Sequence, residues 1–416
     1  MDLRIGVVHW AFPPVTGGVE MHLLTMCPEM VRQGAQVSVL CGSVAGVAST
    51  EEVEGVTVER RDGMVPELIA EAGESGEDVY RRSKRMFESF LDDHNIDVVH
   101  AHNLHLDFLD LSQALQDACA ERDIPHVLVI HNDEFIDRSV ETTRRIVREV
   151  AWHRLVPISH FIHDTMAAEV PEIPPGRWAV IMHGIDTDAF RPIDRKKGEK
   201  LKAVYGFEGR RVILHPARFL PWKGILPAIQ SMPRIVDRVP SALMVMTGRA
   251  QRIYEDQEEL ALYDAEIDRT IRENDLGNHV HIGTYDHDDI PPLMALSDVV
   301  VYTTIGEEPF GLVPVEGMAC GVPVVVTNSG GLTESVVHGE TGFVITKDEQ
   351  ELPQELADRV VQLLQDERLA QQFGEEGRRR VEREFDKTRM AEDFIELSEA
   401  LLGEGSTESS GLSTWE

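Results

Sequence analysis

The chain predicts an α/β protein built from two doubly wound, Rossmann-like domains that face each other across a central cleft. Three observations carry this reading. Short apolar runs alternate with amphipathic helical stretches along almost the whole chain, the pattern of a parallel sheet covered by helices on both faces. The alternation lapses once, near residues 186–202, into a polar, turn-rich stretch and then restarts. At 416 residues the chain also exceeds one ordinary core and fits two domains of roughly 150 to 200 residues each.

In chain order, apolar runs at 4–10, 36–41, 97–102 and 126–131 read as strands of the first sheet, with helices leading to Gly34, spanning 78–95 and leading to Arg122. Pro28 falls inside the first helical pattern and predicts a kink or an early end there. Runs at 212–216, 243–247, 279–283, 299–303, 323–327 and 342–345 supply the second sheet. Residues 252–274 read as a long charged helix with a solvated face. The expected divisions are a first domain at 1–186, a second at 187–384, a C-terminal helix at 385–402 packing back on the first domain, and a disordered tail at 403–416.

Acidic side chains outnumber basic ones 73 to 40, for a net charge of −33, and only eight of the cations are Lys. Such a surface stays soluble at high salt, where self-repulsion is screened, and points to a halophile's cytosol; an ordinary acidic enzyme is the alternative. The charge argues against nucleic-acid partners. Cys27, Cys41, Cys119 and Cys320 form no CxxC pair and read as reduced, buried thiols, and no structural metal is indicated. The N-terminus lacks the apolar core of a signal peptide, and no run approaches the roughly 20 apolar residues of a membrane span. A cytoplasmic protein is expected. The absence of a basic amphipathic surface argues against membrane association, and the oligomeric state stays open.

The span from Glu308 to Glu316 is the richest in chemistry. It follows the apolar run at 299–304 and enters a helix expected to begin near Phe310, so Glu308 lies in a strand-to-helix loop and Glu316 about two turns into the helix. The backbone N–H groups of Phe310, Gly311, Leu312 and Val313 are then the free donors of a helix N-terminus, which attracts phosphate. One carboxylate on either side suits the hydroxyls of a sugar–phosphate–ribose ligand. Pro314 is tolerated in a first turn. Arg218 and Lys223 follow the run at 212–216 on the same sheet edge and would neutralise a diphosphate without a metal.

Gly17 and Gly18 open the first helix, where a missing β-carbon lets the backbone approach a phosphate or sugar; a plain strand-to-helix turn would use glycine too. No GxGxxG stands there, which argues against a dinucleotide dehydrogenase. His131 ends an apolar strand, ahead of Asn132, Asp133 and Glu134, and suits a hydrogen bond to a sugar hydroxyl as well as it suits a structural role. His100, His102 and His131 are not read as a metal site, because His100 and His102 share a strand face with no carboxylate at matching spacing. Arg138, Arg144, Arg145 and Arg148 form a basic patch, explained either by helical pairing with Glu141 and Glu149 or by an anionic group on a ligand.

Together these residues resemble the retaining glycosyltransferase family 4, with the GT-B fold. The resemblance spans nearly the whole chain and rests on Gly17-Gly18-Val19-Glu20, the His131 strand end, His183-Gly184-Ile185-Asp186 with Phe190, Arg218 with Lys223-Gly224, the Glu308 and Glu316 pair, Gly321-Val322-Pro323-Val324, and Gly330-Gly331-Leu332-Thr333-Glu334. Two departures are His183, where the family usually has Asn, and Arg249, where a small residue is commoner.

The resemblance implies an acceptor-side first domain and a donor-side second domain. It implies that Arg218 and Lys223 bind the donor diphosphate, that the backbone of Phe310 to Val313 completes the phosphate site, that Glu316 holds the ribose and that Glu308 contacts the donor sugar. Gly17 and Gly18 would lie against the donor and His131 near sugar and acceptor, with Arg144 and Arg145 as candidates for an anionic acceptor. The implied reaction moves a hexosyl group from a nucleotide sugar, a UDP-sugar by default, to a hydroxyl of a small or glycan acceptor. Front-face attack retains the anomeric configuration, and neither metal nor other cofactor is expected. A sugar-nucleotide epimerase or a phosphorylase on the same scaffold, and a noncatalytic sugar-nucleotide-binding protein, are the alternatives.

Overall fold

A computed structural model describes residues 3–15, 17–65, 76–106, 109–132, 140–248 and 257–408. Asp133, Glu134, Arg138 and Arg249, named above, lie outside the described residues, as do 409–416. The chain forms two compact units. The first comprises residues up to Gly184 together with those from Lys387 onward; the second runs from Ile185 to Asp386.

The first unit holds a seven-stranded sheet of β1 (Arg4–Val8), β2 (Gln36–Gly42), β3 (Thr50–Val53), β4 (Val56–Arg61), β5 (Val98–His102), β6 (His126–Ile130) and β7 (Arg154–Pro157). Their order is β3-β4-β2-β1-β5-β6-β7, and every pair is parallel except β3 with β4. The β3–β4 hairpin and β7 are additions to the strands read from sequence. β3 carries Thr50-Glu51-Glu52-Val53, an edge strand too polar for an apolar-run criterion to find. The order reverses between β1 and β5. Ligands of doubly wound sheets bind where it does, beyond the carboxyl ends of the two diverging strands.

The helix after β1, Gly18–Arg32, continues past Pro28. The kink or early end expected there is not a break in the helix, because proline removes only its own N–H bond and the buried face carrying Leu23, Met26, Cys27 and Met30 holds the rest in place. The C-terminal helix spans Lys387–Glu408, six residues beyond the expected end at 402, so 403–408 is helical and not a disordered tail. It belongs to the first unit. Arg389 Nη2 donates to the Met182 carbonyl at 2.6 Å, and the Gly184 N–H meets Met390 Sδ at 3.0 Å.

The second unit holds β8 (Arg211–His215), β9 (Ala242–Met246), β10 (Val280–Ile282), β11 (Val299–Tyr302), β12 (Val324–Thr327) and β13 (Gly342–Ile345), in the order β10-β9-β8-β11-β12-β13 and parallel throughout. Its centre is β-branched. Val299, Val301, Val324, Val325 and Val326 are fully buried, as a sheet with helices on both faces requires. Here the order reverses between β8 and β11. All four cysteines are buried and unpaired, and burial pushes the thiols of Cys41, Cys119 and Cys320 up to about 12. Among the described residues no helix is long and apolar enough to cross a membrane.

Candidate active site

The loops leaving β8 and β11 flank the reversal point of the second sheet, and they carry Arg218 with Lys223 and Glu308 respectively. These loops are locked together at the backbone. Gly224 has φ +66°, and a β-carbon there would stand 1.8 Å from the Thr303 carbonyl oxygen. Thr303 Oγ1 donates to the Gly224 carbonyl at 3.1 Å and meets His215 Nε2 at 2.9 Å. Behind the Glu308 loop, Gly331 N–H donates to the Glu308 carbonyl at 2.8 Å, and a β-carbon on Gly331 would come within 2.5 Å of the Pro309 oxygen. The Ser329 hydroxyl accepts from the Glu308 N–H at 3.0 Å. The Gly330-Gly331 pair is therefore a bed for the Glu308 loop.

At the centre, Lys223 Nζ lies 2.7 Å from Glu308 Oε2 and also meets the Tyr302 hydroxyl, which donates to the same carboxylate oxygen at 2.9 Å. Nζ stands 4.0 Å from the ring centroid of Trp222. Burial pushes the Lys223 pKa down, against the pull of Glu308, and the neighbouring Arg218 charge pushes the same way. Burial beside Glu308 drives the Tyr302 hydroxyl well above its ordinary value, so it remains a hydrogen-bond donor. Arg218 itself is exposed. The site thus joins a buried ammonium, a fixed carboxylate and an accessible guanidinium.

The helix after Glu308 spans Leu312–Ala319, with Gly311 at φ +84° as its N-cap. Its start is two residues later than expected, because Gly311 takes a left-handed conformation. Phe310 therefore lies ahead of the helix, its ring buried 5.8 Å from Phe385, and the first-turn donors are the N–H groups of Leu312 and Val313. Pro314, the third helical residue, has none to offer. Glu316 sits farther along this helix, only partly covered at its surface yet deep enough that burial raises its carboxyl to about 7. Among the described residues no side chain hydrogen-bonds that carboxylate.

Tyr302 and Trp222 were not among the residues singled out by sequence. The signal for Tyr302 was slight, a single hydroxyl ending the Val299-Val300-Val301 run. Trp222 is one of the few large apolar side chains left exposed, at 37%.

In the first unit, Gly17 and Gly18 stand exposed where the Gly18–Arg32 helix begins, and a β-carbon on Gly18 would meet nothing within 4 Å. No packing inside the described chain requires glycine at 18. His131 is buried, with Nε2 2.8 Å from His102 Nδ1 and Nδ1 3.0 Å from His183 Nε2. His183, the departure from the usual Asn, stacks on His22 with ring centroids 4.2 Å apart. These histidines cluster at the reversal point of the first sheet, since His102 ends β5, and His9, just past β1, donates through Nδ1 to the His102 carbonyl at 2.9 Å. The trio weighed from sequence, His100, His102 and His131, does not come together, but a different one does. One nitrogen of each of His22, His102 and His131 lies within 4.8 Å of the others, and the missing member was His22, which comes from a helix rather than a strand. His100 is elsewhere, its Nε2 2.9 Å from Ser398 Oγ.

In the basic patch, Arg145 pairs along its helix with Glu149 as expected, whereas Arg144 hydrogen-bonds a carboxylate on another helix in place of Glu141. Arg144 Nε donates to Glu169 at 3.0 Å, and Arg145 Nε to Glu149 at 2.9 Å. Both of these cations therefore have a carboxylate partner within the first unit.

Two doubly wound, largely parallel sheets in one chain are the architecture of the GT-B fold. Residues 197–380 match the family described as glycosyl transferases group 1, and residues 16–189 match glycosyltransferase family 4. The chain belongs to the family 4 type of glycosyltransferase. It is 24% identical over 407 residues to spore coat protein SA of Bacillus subtilis (strain 168), covering 93% of this chain and 96% of that one. A glycogen synthase of Mycobacterium tuberculosis is 28% identical over an alignment of 420 residues, covering 92% and 91%. The crystal structure of Alr3699/HepE from Anabaena in complex with UDP shares the fold with a TM-score of 0.74, at 21% identity over 96% of this chain and all of that one.

Proposed function

We propose that the protein is a retaining hexosyltransferase that moves a sugar from a nucleoside-diphosphate donor, a UDP-sugar first, to a hydroxyl of a small or glycan acceptor. The observation that carries this reading is the buried Lys223–Glu308 pair set between the exposed Arg218 and the Leu312–Ala319 N-terminus. Arg218, Lys223 and the N–H groups of Leu312 and Val313 receive the diphosphate, whose charge grows as the glycosidic bond breaks; donors already in place stabilise that charge without reorganisation. Glu308, held by Lys223 and Tyr302, presents its remaining oxygen to the sugar hydroxyls. Glu316 takes the ribose. The departing phosphate oxygen accepts the acceptor's proton on the face it leaves, so the anomeric configuration is retained. No divalent ion enters this chemistry, because the two cations and the helix dipole supply the positive charge. His131, whose ring nitrogens are both engaged by other histidines, positions its strand end and transfers no proton.

UDP is preferred because Alr3699/HepE has been solved with UDP and with UDP-glucose. The phosphorylase alternative needs a lysine free to form a Schiff base, and Lys223 is committed to Glu308 and Tyr302. A thermal-shift screen of UDP, GDP and ADP sugars in high salt tests the reading. A ligand at 100 times its dissociation constant stabilises by about 2.7 kcal/mol. Stabilisation by a UDP-sugar that is lost in Lys223→Ala is expected; no shift with any of the three nucleotides would remove the proposal.

A further inference from the structure

We propose that His22, His102 and His131 bind a divalent transition-metal ion of the zinc class inside the first unit. The three side chains come from the Gly18–Arg32 helix, the end of β5 and the residue after β6, and one nitrogen of each lies within 4.8 Å of the others. Tetrahedral Zn–N bonds of about 2.0–2.1 Å require ligand nitrogens about 3.3–3.4 Å apart. The His102 Nδ1 to His131 Nε2 separation is 2.8 Å, about half an ångström inside that spacing, and the His22 nitrogen lies within 4.8 Å of both.

A second observation points to a ligand. Both ring nitrogens of His22 are buried without a hydrogen-bond partner among the described residues. Buried imidazole nitrogens are ordinarily satisfied, and a bound ion satisfies the one that carries the lone pair. All-nitrogen ligation without a thiolate or a hard-oxygen set suits Zn2+, Co2+, Ni2+ or Cu2+ and disfavours Mg2+ and Ca2+.

The surroundings supply an outer shell. His183 Nε2 meets His131 Nδ1 at 3.0 Å, which fixes the ring that carries the ligating nitrogen on its other side. His9 holds the His102 carbonyl through Nδ1 and reaches Glu20 Oε1 through Nε2 at 3.3 Å, placing a carboxylate one residue beyond the ligand set. With all three ligands buried, the ion ties a helix and two strands together at the reversal point of the sheet. Its role is therefore structural.

The test strips the full-length protein with a chelator, adds ZnCl2, removes unbound metal by desalting, and counts retained zinc while recording Tm. One equivalent retained, with a Tm rise of several degrees, is expected for the wild type and for His163→Ala. Both effects should vanish in His22→Ala and His102→Ala. Because those variants remove buried rings and can fail to fold, wild-type protein is also loaded with Co2+ and its visible spectrum recorded. Intense tetrahedral bands support the site. Weak octahedral bands, no retained zinc, or undiminished uptake in folded His22→Ala protein would overturn it.

Discussion

Lys223 and Glu308 form a buried ion pair, Nζ to Oε2 2.7 Å, with side chains only 9% and 12% exposed, although 85 residues separate them in sequence. They meet because β8 and β11 are neighbours in the sheet and diverge in connection, so that both following loops open at one edge. A buried ion pair is a poor source of net stability by itself. In the proposed reaction the pair supplies charge that a diphosphate would meet.

Removing one member should be costly twice over. Lys223→Ala leaves a carboxylate and a phenol in a pocket built for three groups, a loss of about 3–5 kcal/mol in denaturant unfolding. In the proposed reaction it also lowers kcat by about 10²-fold or more. Glu308→Gln, which keeps an acceptor for Lys223, should lose much less stability while still lowering turnover. Wild-type turnover in Lys223→Ala would contradict the assignment of leaving-group stabilisation.

The Glu316 carboxyl gives a pH signature. Its folded pKa is raised from an ordinary 4.5 to about 7, so the folded state holds the proton more tightly than the unfolded chain does. Its favourable contribution is complete below about 4.5 and is lost as pH rises through about 7. Glu316→Gln should therefore melt at the same temperature as wild type near pH 4.5 and above it at pH 8, in the absence of nucleotide. UDP affinity of the wild type should rise across the same interval if the ionised carboxylate binds ribose. Calorimetric titrations at pH 5.5 and 8 check this, and a pH-independent Kd would count against the ribose role.

Two glycine substitutions should separate fold from function. Gly224→Ala places a β-carbon 1.8 Å from the Thr303 carbonyl at φ +66°, and the left-handed backbone alone costs about 1–2 kcal/mol, so Tm and activity fall together. At Gly18 a β-carbon meets nothing. Gly18→Ala should leave Tm unchanged or slightly higher and raise the donor KM, as steady-state kinetics will read. An unchanged KM would return Gly18 to the role of a plain helix start.

The ten strands read from sequence were right to within one or two residues, because β-branched runs buried on both faces have a plain signature, as Val299 to Val301 illustrates, whereas β3, β4 and β7 of the first sheet were not read. The polar edge strand Thr50–Val53 was not, since edge strands lack the burial that writes the pattern. In the site, Arg218, Lys223, Glu308 and Glu316 were visible as charges in loops or a helix after apolar strands. Tyr302 was hidden by its apolar neighbours. The histidine cluster was missed because its third member, His22, approaches from a helix, and sequence spacing does not report which helix face meets a strand end.

Paired surface cations should prove dispensable. Replacing Arg144 and Arg145 together with Ala removes bonds to Glu169 and Glu149 and should change Tm only slightly, with acceptor KM unaltered. A markedly raised acceptor KM would revive an anion-binding role.

The proposed reaction turns on the stereochemistry at the anomeric carbon of the donor sugar. Incubating the protein with an α-linked nucleotide sugar selected in the thermal-shift screen, plus an acceptor, and following the anomeric protons by NMR tests it most directly. The account predicts release of the nucleoside diphosphate with an α-linked product and no rate increase on adding Mg2+ or Mn2+. A β-linked product, or a donor consumed without release of nucleoside diphosphate, would contradict it.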